Sequence, residues 1–103
     1  GIETYSPFQE NDLEAVRYFD AGDLELPMGN RDESLARIRR AAEEVLAHGK
    51  QWLGIGGEHL VTLPAVEAYV KQYPDLAIVH FDAHADLRDD YLGEKLSHAT
   101  VLR

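Results

Sequence analysis

Asp82, His84 and Asp86 stand at every second position of the run Leu-Ala-Ile-Val-His-Phe-Asp-Ala-His-Ala-Asp, residues 76–86. An extended backbone throws alternate side chains to one side, so two carboxylates and an imidazole are expected to converge there. Two unpaired carboxylates at the mouth of an apolar strand repel each other and lose solvation, and a divalent cation relieves both penalties. The chain has no cysteine, which excludes disulfides and thiolate ligands. Any metal must then be held by oxygen and imidazole nitrogen, a donor set for a hard or borderline ion. Aspartate and histidine also cluster in ordinary solvated loops, so the triplet needs a second feature beside it.

That feature is Gln51-Trp52-Leu53-Gly54-Ile55-Gly56-Gly57-Glu58-His59, a short apolar strand broken by glycines. Between it and the strand at residues 76–79, Leu60, Leu63, Val66, Tyr69, Val70 and Tyr73 recur at helical spacing. The order is strand, helix, strand. A crossover of this length joining parallel neighbours is right-handed and brings both carboxyl ends to one edge, where open α/β sheets keep their ligand sites. Adjacent strands lie about 5 Å apart. His59 is therefore expected beside Asp82, with the two histidines and two acids sharing one ion or a close pair. Gly56 and Gly57 are read as a sharp turn that faces His59 inward. They do not make a dinucleotide fingerprint, because His59 occupies the position of its last glycine and no acid follows at the ribose distance.

Stepping outward, residues 1–12 carry Pro7 and no periodicity and read as an irregular lead-in. Residues 16–21 favour a strand, closed by Gly22-Asp23, and a connector around Pro27 follows. Asn30 is a helix cap with Glu33 three residues on and Asp32 in the first turn; Leu35, Ile38, Ala41, Ala42, Val45 and Leu46 form the buried stripe, and the helix ends near His48 with Gly49 as its stop. His48 there serves the helix dipole. His80 shares parity with Asp82 but lies inside the strand, and is read as a hydrogen-bonded core histidine. Glu58 is read as a supporting partner of His59, and Asp89 and Asp90 as a solvated turn.

The fold class expected is α/β, a three-layer α/β/α arrangement on a parallel sheet. Three parallel strands and two helices leave sheet faces uncovered, whereas parallel sheets are normally buried on both sides. Val101-Leu102-Arg103 reads as leading into a further element. Residues 1–103 are thus expected to be part of a single larger domain. The hydrophobic fraction of 45% and charged fraction of 28% suit a globular protein. A net charge of −9 without a basic face argues against nucleic acid and suits a small cationic partner, although most of the acids are scattered over solvated surface. No apolar run approaches the roughly twenty residues of a membrane span, and Gly1 opens no signal-like leader. A cytoplasmic protein is the expectation.

Gly56-Gly57-Glu58-His59, Asp82-Ala83-His84-Ala85-Asp86 and Ser97-His98-Ala99-Thr100, with Phe19-Asp20-Ala21-Gly22-Asp23 before them, resemble in order and spacing the front half of the arginase/agmatinase (ureohydrolase) family. Arginases usually carry Asn where this chain has Leu87. The run from Asp86 to Tyr91 with Ser97-His98 is more similar to the agmatinase branch, which hydrolyses agmatine to putrescine and urea. The resemblance implies an arginase/deacetylase-like fold and two manganese ions. His59 and Asp86 would be terminal ligands of one, His84 a ligand of the other and Asp82 a bridge. A shared water, deprotonated near neutral pH, would attack the guanidinium carbon. His98 matches the histidine that relays protons to the leaving amine, a task suited to a group with an unperturbed pKa of about 6.5. Relatives commonly assemble as trimers or hexamers, so a homo-oligomer is expected.

One departure is large. The family completes its metal pair with a Ser-x-Asp-x-Asp-x-x-Asp-Pro segment and places a glutamate for the guanidinium later still; neither occurs in these residues. Four of six implied protein ligands are present, and the 103 residues by themselves are expected to hydrolyse little or nothing. The alternatives are a non-catalytic metal-binding or interaction module of the same fold, or another ureohydrolase: a guanidinobutyrase, a formimidoylglutamase or an arginase.

Overall fold

Asn30 opens the longest element in the way its side chain allows. In a computed structural model that describes residues 5–87, Asn30 Oδ1 accepts from the Glu33 backbone N–H at 3.1 Å, and helix α1 runs over Arg31–Ala47. The cap satisfies one of the N–H groups that a helix start leaves without a partner. Glu33 accepts from Arg37 Nε at 3.1 Å and Arg40 Nη2 at 3.3 Å, and these two guanidinium bonds hold its carboxyl below the usual glutamate range. Arg37 also donates to the Glu25 carbonyl at 2.7 Å, which ties the preceding connector to the helix. Gly49, at φ +67°, takes the left-handed conformation that ends it. Replacing Asn30 with Ala is expected to cost about 1 kcal/mol of stability, read as a lowered thermal midpoint.

Of the expected stripe, Ile38, Ala42 and Leu46 are buried and Leu35, Ala41 and Val45 half-buried. They pack against a second helix, α2, at Thr62–Gln72, preceded by a 3-10 turn at His59–Val61. The residues α2 buries are Pro64 and Ala68, in line with Leu60 of the turn, whereas Val70 and Tyr73 are exposed. The expected apolar face is therefore rotated. Ala42 and Ala68 present almost no side chain and are both buried in one cluster with Leu46, flanked by Trp52, Ala65 and Tyr69. The rim is ionic: Lys71 meets Glu43 at 2.7 Å and lowers its pKa, and Arg39 meets Glu67 at 3.5 Å. Tyr69 adds a polar hold, its hydroxyl accepting from Trp52 N at 2.9 Å and donating to Gln51 Oε1 at 3.1 Å. The segment that leads to His59 is thereby pinned to α2.

The sheet differs from expectation. The described residues hold one two-stranded antiparallel ladder, β1 at Tyr5–Ser6 and β2 at Asn11–Asp12, in what reads from sequence as an irregular lead-in. Glu10, at φ +49°, lies in the connection between the two strands. Among the described residues no backbone hydrogen bond joins residues 16–21, 51–58 and 76–81 to one another. Apart from Trp52, which packs against the helix pair, their large apolar side chains face solvent, Ile55 being 81% and Phe81 95% exposed. A parallel ladder takes its register from a buried face, and no such face is built here. Among the described residues the helix pair is formed and no parallel ladder is. No helix of the described residues is long and apolar enough to cross a membrane.

Candidate metal centre

His59 reaches the site through a close backbone approach. A Cβ on Gly56 would lie 2.9 Å from Val61 Cγ2, so a side chain here would crowd the last residue of the 3-10 turn. Neither Gly56 nor Gly57 has a positive φ. Gly56 contributes room, not the sharp turn expected of it. Glu58 Oε1 accepts from Leu60 N at 3.3 Å, so Glu58 supports His59 by capping the turn that carries it.

His59 Nδ1 lies 2.6 Å from Asp86 Oδ2 across 27 residues of sequence, with Asp86 only 11% exposed. A carboxylate accepts, so Nδ1 carries the proton and the lone pair of the neutral ring is on Nε2. Asp86 adopts φ +52°, a left-handed conformation that aspartate tolerates better than most residues. The His80 ring stacks on His59 with centroids 5.4 Å apart and planes 22° from parallel. His80 Nε2 is 3.4 Å from Asp82 Oδ2, yet it is buried without a hydrogen-bond partner. Asp82 Oδ1 accepts from the His84 backbone N–H at 2.9 Å. That bond, followed by the His80 and His84 imidazoles nearby, holds the Asp82 carboxyl below its ordinary range.

One ligand atom from each of His59, His80, Asp82 and Asp86 can be chosen so that all four lie within 4.8 Å of one another. Imidazole nitrogen and carboxylate oxygen at that separation are a donor set that fits a divalent cation. The structure thus brings His59, Asp82 and Asp86 together, although the two segments that carry them form no strand pair among the described residues. It does not bring His84 with them: that side chain is 83% exposed, with Nδ1 3.5 Å from Asp82 Oδ1. The expected alternation is lost because residues 82–86 are not a strand. Asp82 bonds the backbone two residues on, and Asp86 is left-handed. His80 takes part where a core histidine was expected, and its parity with Asp82 was the signal. His98, Asp89 and Asp90 lie outside the described residues.

A sequence model described as the arginase family matches residues 1–103. The agmatinase of Bacillus subtilis is 53% identical over the whole chain and that of Bacillus anthracis 54%; in both cases the chain spans 36% of the relative's length. A guanidinobutyrase of Pseudomonas aeruginosa is 36% identical over 88% of the chain and 28% of its own length. The crystal structure of a candidate agmatinase from Clostridium difficile superposes with a TM-score of 0.90 at 47% identity, covering 99% of this chain and 37% of that one. The chain therefore spans about a third of the length of the curated relatives it matches and shares their arginase-type fold over that part.

Proposed function

The chain belongs to the arginase family, and from that premise we propose that it is part of a metal-dependent hydrolase of guanidino C–N bonds whose substrate is agmatine, cleaved to putrescine and urea. The observation that carries this reading is the convergence of His59, Asp82 and Asp86, with Nδ1 and Oδ2 of the first and last 2.6 Å apart. Relatives of over 50% identity that are named agmatinase support the choice of substrate.

His59, Asp82 and Asp86 would hold the divalent cations, a manganese pair, together with His84, once it turns in from its exposed position, and ligands from the remainder of the protein. Bound there, the cations supply Lewis acidity that lowers the pKa of a water enough to provide a nucleophile near neutral pH. Asp86 fixes the tautomer and plane of His59 by accepting from Nδ1, which leaves Nε2 free to ligate. Asp82 keeps its charge to lower pH than an ordinary aspartate because the His84 N–H already bonds it. His98 passes a proton to the leaving amine. The surplus of acid, 19 Asp and Glu against 10 Lys and Arg, favours approach of a cationic guanidino compound. The 103 residues form one piece of a single three-layer α/β/α domain, in a cytoplasmic homo-oligomer, a trimer or hexamer; the exposed apolar segments 51–58 and 76–81 are the strands its sheet covers.

The test is urea release from agmatine by the full-length protein loaded with Mn2+, before and after stripping by a chelator. Release that stops on stripping and returns with Mn2+ is expected, with none from residues 1–103 alone. No urea from agmatine, arginine or a guanidinobutyrate under any divalent metal would leave the non-catalytic metal-binding reading in its place.

A further inference from the structure

The geometry points to His80 as a positioning residue of this metal centre, one that sets the plane of the His59 imidazole by stacking on it and stands behind the Asp82 carboxylate. The inference rests on the reading of His59 and Asp82 as cation ligands. A histidine kept in a core for its hydrogen bonds would have its buried nitrogen well paired, yet His80 Nε2 makes no hydrogen bond and has only the Asp82 carboxylate near it, at 3.4 Å. What holds the ring is its face: the His59 ring lies against it, 5.4 Å between centroids and 22° from parallel.

His59 is thereby constrained from two directions. Asp86 grips Nδ1 in the ring plane at 2.6 Å, which still allows the ring to tilt about that bond. His80 closes off the tilt from one side. The lone pair on Nε2 then has a single direction, and a ligand held in its productive direction binds metal more tightly than one that must be ordered on binding. On its other edge His80 Nε2 stands 3.4 Å from Asp82 Oδ2, so one ring abuts both an imidazole and a carboxylate of the site. The group works through His59 and Asp82 and is not itself required to touch metal or substrate.

Mn2+ alone, titrated into the metal-stripped full-length protein, tests this with His80→Ala and His80→Phe, each checked for folding by circular dichroism. Loss of the ring in His80→Ala is expected to weaken Mn2+ binding by about tenfold or more, the usual effect of removing an outer partner, while His80→Phe, which keeps a ring to stack, stays within about threefold of wild type. The visible bands of the Co2+-loaded protein should keep their shape in His80→Phe and change in His80→Ala. Binding by His80→Ala equal to wild type would overturn the role, and so would His80→Phe falling as far as His80→Ala, since that would make the nitrogen a ligand in its own right. Failure of the wild-type protein to bind Mn2+ is a separate result and would remove the metal centre itself.

Discussion

Asp82→Asn in the full-length protein is expected to lower kcat/KM for agmatine by more than about a hundredfold, beyond the 10- to 100-fold typical when only an outer partner of a metal ligand is lost. Asp82 is one of the acids of the cluster, its Oδ2 3.4 Å from His80 Nε2 and its Oδ1 accepting from the His84 N–H at 2.9 Å. Asparagine keeps the shape and can still accept from His84 N, but it brings no charge to a divalent cation. The loss should therefore appear in metal content as well as in turnover, and raising Mn2+ should recover part of it. Thermal stability of the metal-free protein should hold, because the substitution removes one of two neighbouring carboxylates in a cluster that only a cation neutralises. Turnover within tenfold of wild type at low Mn2+ would show that Asp82 is not a ligand.

Leu46→Ala is expected to destabilise the protein by about 2–5 kcal/mol. Leu46 is 6% exposed and, with Ile38 and Leu60, is one of the three long hydrophobic side chains buried among the described residues. The other buried members of its cluster are Ala42 and Ala68, and alanines cannot swing in to fill the space that a leucine leaves; of the flanking side chains, Tyr69 is held in place by its hydroxyl bonds to Trp52 N and Gln51. The hole therefore persists, which is the condition for the upper part of that range. Val70→Ala is the contrast: Val70 is expected from sequence in the apolar stripe of α2, but it lies outside the core, and its loss should fall within about 0.5 kcal/mol of wild type. Urea-denaturation midpoints of the two variants measure the difference. Equal shifts would mean that α2 buries the face read from its sequence and not the one it presents here. The effect on activity should follow, since Tyr69 of α2 holds Gln51 and Trp52, at the head of the segment that ends in His59.

What the sequence determined by itself is local or rests on strong chemistry. Helix α1 runs between the Asn30 cap and Gly49 because both ends are set by single residues acting on their immediate neighbours. The order of apolar segment, helix and apolar segment led to the expectation that His59 meets Asp82 and Asp86; the described residues place ligand atoms of the three within 4.8 Å of one another, although no parallel ladder joins the two segments. Tertiary structure alone decided the rest. Which face α2 buries depends on the small residues Ala42 and Ala68, whose close approach admits the neighbouring helix, and hydrophobic periodicity gives them little weight. Which histidine lies against His59 depends on backbone angles: Asp82 bonding the His84 N–H and Asp86 at φ +52° break the two-residue alternation, so His84 faces solvent and His80 stacks on His59. Residues 51–58 and 76–81 are apolar enough to be strands, but a strand exists only through hydrogen bonds to a neighbour, and these come from the assembled chain and not from the residues themselves.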